Sequence, residues 1–204
     1  EAGYYVRPGG CAPGETEAEV LVHMRRFPQD GLLDHLAMTG QLTPDIMTDI
    51  AHQLARFHAA AGRSPEIDRF GSVDSVRTPI MQNFVQTRPY IGRTVSAATH
   101  ARLQSWAEAF LRTHAGLFSE RVHAGKIGDG HGDLHLRNMC KFDGRVLIFD
   151  CIEFNPALRA GDVMNDIAFL IMDLDHRALA AHANRFLNEY LEQTRDYAGL
   201  TLLD

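Results

Sequence analysis

His131-Gly132-Asp133-Leu134-His135-Leu136-Arg137-Asn138 packs five polar side chains into eight residues, and Met139-Cys140-Lys141-Phe142-Asp143-Gly144-Arg145-Val146-Leu147-Ile148-Phe149-Asp150 follows directly. Asp143-Gly144 is a favoured two-residue turn, because both residue types tolerate φ > 0. It predicts a hairpin with strands over 139–142 and 145–149. In that register Asn138 faces Phe149, and Asp150 stands one residue beyond. Facing residues have Cβ atoms about 4.5–5.5 Å apart, and diagonal neighbours only somewhat further. Asn138 and Asp150 therefore converge at the open end of the hairpin. Asp133 enters the same end from the preceding loop.

An amide oxygen beside a carboxylate makes a hard, oxygen-rich site. Mg²⁺ prefers such ligands and takes waters and substrate phosphates as the rest of its shell. A nearby Asp that is not a ligand is free to accept the proton of an attacking hydroxyl. One Asp as base, with an Asn and a second Asp on the metal, is the division of labour of phosphoryl transfer. A different chemistry competes for the same stretch. His131-x-Asp133-x-His135 would share one face of a strand and suit Zn²⁺ or Mn²⁺ in a metallohydrolase. That reading lacks a further strong ligand, since His114, His123, His176 and His182 are scattered, and it leaves Asn138 without a role.

Outward from the hairpin the chain reads as mostly helical. Thr43-Pro44-Asp45 is a helix start: Thr43 is a capping residue type, Pro44 suits the first position and Asp45 favours the positive helix end. Ile46, Ile50, Leu54 and Phe57 recur at helical spacing, and Gly62 is the expected stop. A second helix is expected from about 96 to 118, with Leu103, Trp106, Phe110, Leu117 and Phe118 on its apolar face. Residues 63–95 hold three prolines and read as an irregular connection with one short helix. Ile127 to His131 reads as a short strand or loop. Asp162 is expected to cap a helix carrying Ile167, Leu170, Ile171 and Leu174, and a last helix runs over about 177–197. Asp173 and Asp175 are expected to face solvent, and His52 and His58 to be helix-face residues. Glu153 is either a solvated side chain or an additional carboxylate near the metal. The fold class is α+β, without the strand–helix alternation of a parallel sheet.

The 204 residues suit one domain or one large lobe. A hydrophobic share of 45% with 23% charged residues is a globular composition and argues against disorder. The net charge of −6 disfavours a nucleic-acid partner, which calls for a basic face. No apolar run reaches the roughly 18–20 residues of a membrane span. Cys11, Cys140 and Cys151 are odd in number and form no CxxC, so a reducing, cytoplasmic setting is expected.

HGDLHLRN (131–138), with the Asp of IFDCIEF (148–154) twelve residues after Asn138, resembles the aminoglycoside phosphotransferase branch of the protein-kinase-like superfamily. HMRRFPQDGLLDHL (23–36), the Thr43–Gly62 helix and IFDCIEFNPALRAGDVMNDIAFLIMDLD (148–175) extend the resemblance over most of 18–192. They resemble a subfamily in which a phosphotransferase-like domain precedes a P-loop ATP-binding domain in one chain. The resemblance implies ATP and Mg²⁺ as cofactors and a small-molecule hydroxyl as acceptor. It implies Asp133 as the catalytic Asp, and Asn138 and Asp150 as the Mg²⁺ ligands. Met24, Arg25, Arg26 and Phe27 would form the hinge that meets the adenine. His131 would support the catalytic loop, and Asp166 would hold that loop through its backbone.

The same resemblance calls for a glycine-containing phosphate loop, an ATP-binding Lys and a partner Glu before the hinge. About 20 residues precede Val20–Phe27, the expected hinge strand, and none shows that arrangement; Lys126 and Lys141, the only lysines, lie far beyond it. The expected organisation is therefore a small-lobe remnant over 1–27 and a helical large lobe over 28–204, cut from a longer bifunctional protein. A catalytically silent kinase-like binding module is the alternative.

Overall fold

The structure, a computed structural model, describes residues 28–203. The 1–27 segment, the strand expected over Val20–Phe27 and the hinge residues Met24, Arg25, Arg26 and Phe27 lie outside the described residues.

Two helices open the described chain, α1 (Leu33–Met38) and α2 (Pro44–Ala60). Pro44 begins α2 as its fixed φ favours, although the Thr43 side chain makes no capping bond. The far end of α2 is closed by Arg63, whose guanidinium donates to the carbonyls of His58 at 2.8 Å, Ala61 at 3.2 Å and Ala59 at 3.4 Å. These are terminal carbonyls that the helix itself leaves without partners.

The 63–95 connection is more regular than its prolines imply. It forms α3 (Pro65–Asp68) and α4 (Val73–Thr87). Pro65 starts a helix and Pro89 lies in a short 3-10 turn, positions where a missing N–H is harmless. Pro79 sits inside α4, which buries no residue fully, so the interrupted turn stays open to water.

The helix expected over 96–118 divides at His114 into α5 (Ala97–Thr113) and α6 (Ala115–His123). Its buried residues are His100, Ala107, Leu111 and Phe118; Leu103 and Trp106 are about half exposed. Trp106 instead stacks on Phe110, and Phe110 on His114, along the outside.

The hairpin forms in the expected register. Strand β2 (Met139–Phe142) pairs antiparallel with β3 (Arg145–Ile148), Met139 opposite Ile148. Asp143 and Gly144 both have positive φ, at 49° and 75°. A second antiparallel pair joins β1 (Ile127–Asp129) to β4 (Ala160–Asp162), which follows the one-turn helix α7 (Pro156–Arg159). β1 falls within the short strand or loop expected over Ile127 to His131, whereas β4 and the pairing are not legible, because three residues are too few to show periodicity. Two long helices complete the chain, α8 (Met164–His176) and α9 (Ala180–Thr194).

The core lies between α1, α2, the β2–β3 hairpin, α8 and α9. Leu33, Met47, Ile50, Leu134, Leu136, Met139, Ile167, Leu170 and Phe186 are wholly buried there. Each such side chain contributes about 1.5–3 kcal/mol of transfer free energy. Leu134 and Leu136 belong to HGDLHLRN itself. That segment alternates between core anchors and polar side chains that the core holds at its edge.

Candidate active site

Asp133 directly precedes the two leucine anchors, with its side chain 42% exposed. Its backbone N–H donates to His131 Nδ1 at 3.3 Å, and its backbone carbonyl accepts from Asn138 Nδ2 at 3.0 Å. The same Asn138 nitrogen lies 3.3 Å from Asp133 Oδ2. The amide nitrogen is therefore committed to Asp133, and the Asn138 oxygen is directed away from it.

His131 is buried and fixes the hairpin to the loop. Its Nε2 donates to the Phe149 carbonyl at 2.9 Å, while its own carbonyl accepts from Ile152 N at 3.0 Å. Both ring nitrogens are thus occupied, which assigns the neutral Nε2–H form. His131 has no nitrogen left for a metal. Residues 131–135 form a loop, not a strand, and His131 is buried where Asp133 and His135 are part-exposed. Among the described residues no three His, Cys, Asp or Glu side chains are grouped to hold a metal ion. The His131–Asp133–His135 set does not converge.

Asp150 follows β3 with φ at 61°, a left-handed conformation that Asp tolerates better than most residues. It is exposed, and no described residue pairs with its carboxylate. Phe149 N donates to the Asn138 carbonyl at 3.0 Å, which keeps the Asn138 and Asp150 ends of the hairpin adjacent. Asp150 also lines a cleft of about 690 Å³ with Gln53, Phe57, His131, Ile148 and Arg159. The Arg159 guanidinium is paired with Asp129, Nε to Oδ1 at 2.5 Å. Glu153 is exposed; Arg159 reaches its backbone carbonyl and not its carboxylate.

Asp166, 2% exposed at the start of α8, holds the loop from behind. Its two oxygens accept from His131 N and Gly132 N, each at 2.9 Å. Gly132 is required here: its φ is +82°, and a Cβ would stand 2.8 Å from the Leu158 carbonyl oxygen.

Three side chains at this site escape a reading of the sequence. His58 donates from Nε2 to Asp166 Oδ2 at 3.0 Å from the buried face of α2. Its spacing after Ile50 and Leu54 is the signal, a polar residue on an apolar stripe. Asp173, expected in solvent, is only 15% exposed and accepts from Leu136 N at 2.9 Å. It follows Asp166 by seven residues, two turns along the same face of α8. His135 lies beside Asp133, Nε2 to Oδ2 at 3.5 Å, and its buried Nδ1 has no partner among the described residues.

Burial works against the charge of Asp166, but the His58 hydrogen bond and the two backbone amides outweigh it and hold the carboxyl below its ordinary range. Folded Asp166 binds a proton less readily than unfolded Asp166. Its contribution is therefore complete above about pH 4, the unfolded value, and is lost as pH falls through the lower folded value. Asp166→Asn is expected to be less stable than wild type at pH 7. That gap should narrow below about pH 4 in urea unfolding run at each pH. A gap of constant size would overturn the assignment.

The family model described as "Phosphotransferase enzyme family" matches residues 6–203. Uncharacterized proteins of Mycobacterium bovis and Mycobacterium tuberculosis are each 32% identical over 192 residues, which is 94% of this chain and 39% of theirs. The chain thus spans about two fifths of the length of the curated relatives it matches. A glucosamine kinase structure superposes with a TM-score of 0.50 at 22% identity, over 86% of this chain and 48% of that one. Glucosamine kinase in complex with glucosamine, ADP and inorganic phosphate gives 0.50 at 24%, over 86% and 49%. At this identity the likeness bears on the fold, the mainly helical α+β large lobe of a kinase-like protein.

Proposed function

The chain belongs to the phosphotransferase enzyme family, and from that premise we propose that it carries the catalytic loop of an ATP-dependent transfer to the hydroxyl of a small molecule. One observation carries the proposal. Asp133 is half exposed and fixed through both its backbone and its carboxylate by Asn138, while Asp150 stands unpaired among the described residues on the adjoining end of the hairpin.

In the proposed reaction Asp133 accepts the proton of the acceptor hydroxyl as that oxygen forms a bond to the γ-phosphorus. The bond from that phosphorus to the β–γ bridging oxygen breaks, and ADP leaves. The Asn138 oxygen and the Asp150 carboxylate are the residues proposed to hold Mg²⁺, a hard two-ligand set that fits an ion completed by waters and phosphates. When bound, that ion would supply charge neutralisation on the phosphates. His131, Asp166 and Asp173 keep Asp133 in place, so that positioning and charge complementarity do most of the work. We also propose, from the subfamily resemblance, that 1–27 is the end of a small lobe with its hinge at Met24–Phe27. In the same proposal a P-loop domain follows in the same polypeptide. The reading frame on either side of the chain tests both: an upstream glycine-containing hairpin with a Lys, and a downstream P-loop, are expected.

The functional test is Asp150→Ala in the full-length protein. Removing a charged ligand is expected to weaken nucleotide binding in the presence of Mg²⁺ by at least about tenfold, and to change Mg²⁺-free binding little. Isothermal titration with and without Mg²⁺ reads both. Equal affinity in the variant and wild type with Mg²⁺ would remove Asp150 from the site.

A further inference from the structure

Behind the loop, a hydrogen-bonded chain runs to the last long helix. Tyr190 on α9 is 1% exposed, and its hydroxyl lies 2.8 Å from His58 Nδ1. The two rings meet edge to face, with centroids 5.7 Å apart. His58 Nε2 lies 3.0 Å from Asp166 Oδ2, and Asp166 accepts from the amides of His131 and Gly132. The second of them, Gly132, directly precedes Asp133.

With His58 as the neutral imidazole, the donors in this chain have one consistent assignment. Ionised Asp166 only accepts, so His58 must carry its proton on Nε2. Nδ1 is then a bare lone pair in a buried place, and it needs a donor. The Tyr190 hydroxyl is that donor. Burial, with the Asp196, Asp162 and Asp166 carboxylates nearby, pushes the Tyr190 hydroxyl up from its ordinary range, so it keeps its proton. The opposite tautomer would set the bare Nε2 against the carboxylate.

We infer that Tyr190 is a positioning residue for the catalytic loop: its hydroxyl fixes the Nε2–H tautomer of His58, and His58 thereby fixes Asp166 and the His131-Gly132 backbone that leads into Asp133. The hydroxyl acts from α9, and its hydrogen bond goes to His58. This inference rests on Asp133 being the residue that receives the acceptor proton.

Tyr190→Phe in the full-length protein tests it, because the ring and its packing stay. Nitrogen-15 spectra of labelled histidines should show His58 as the neutral Nε2–H form in wild type and a changed tautomer balance in the variant. The His131 and Gly132 amides should exchange at least about fivefold faster, and turnover should fall by about the same factor. The KM for nucleotide should stay within about twofold. If Tyr190 acts through His58, its replacement should add little in a His58→Gln background, a non-additivity that the double-mutant cycle reads directly. Wild-type tautomer and wild-type amide exchange in Tyr190→Phe would overturn the inference, as would full additivity with His58→Gln or a doubly protonated His58 in wild type. If wild type transfers no phosphate, the phosphotransferase reading fails, while the imidazole and amide readouts still decide Tyr190.

Discussion

Asp133→Asn in the full-length protein is expected to lower phosphoryl transfer by about 10²–10⁴-fold, the usual contribution of a positioned general base. The substitution keeps the shape of the side chain and an oxygen for Asn138 Nδ2, which lies 3.3 Å from Oδ2 in the native site. It removes the capacity to take a proton. The anchors that follow it, Leu134 and Leu136, remain wholly buried, so the loop should not move. Nucleotide affinity should therefore stay within about twofold, and the loss should appear in kcat. Single-turnover transfer and equilibrium nucleotide binding, measured on the same preparation, separate the two quantities. Wild-type turnover in Asp133→Asn would end the assignment of Asp133 as base.

Arg121→Met should produce the largest loss of stability. The Arg121 side chain is 3% exposed and pairs with two carboxylates. It donates from Nε and Nη2 to Asp162, the latter at 2.7 Å, and from both terminal nitrogens to Asp196 at 2.9 Å. Burial disfavours its charge, but the hydrogen bonds to Asp162 and then Asp196 overcome this and raise its pKa. Asp162 also accepts from Met164 N at 2.9 Å, so this one guanidinium joins α6, the start of α8 and the segment before the final 3-10 turn. Without it two carboxylates are left in a largely buried place, with Lys126 Nζ still 3.6 Å from Asp196. Breaking a buried pair in this way costs about 3–5 kcal/mol. At roughly 2–4 °C per kcal/mol for a chain of this size, the Tm should fall by about 6–20 °C. Thermal unfolding by circular dichroism reads it, and a shift under about 2 °C would mean that the network carries little net stability.

The hairpin shows what local sequence encodes. Asp143-Gly144 sets the turn, the turn sets the register, and Asn138 and Asp150 come to one end without help from the rest of the chain. Alternation in HGDLHLRN likewise gives Leu134 and Leu136 to the core and leaves Asp133 at its edge. The α2 start at Pro44 is legible for the same reason, since a proline's φ acts only on its own turn. By contrast, the prolines of 63–95 suggest an irregular segment, yet prolines break helices only in some positions, and the chain there places two of three where they do no harm. The division of the 96–118 helix at His114 and the exposure of Trp106 depend on what packs alongside, which helical spacing does not specify.

The sequence by itself therefore determined the short-range features of this protein: the hairpin, the spacing of Asp133, Asn138 and Asp150, the helix starts and the kinship of the 131–138 segment with phosphotransferases. Only the tertiary structure decided what holds that loop. His58 and Asp166 are 108 residues apart, Tyr190 and His58 are 132, and Arg121 meets Asp162 across 41 and Asp196 across 75. A buried donor or acceptor must find a partner wherever the packed helices bring one. Periodicity places such a residue on a face, but the identity of its partner is fixed only when the faces meet.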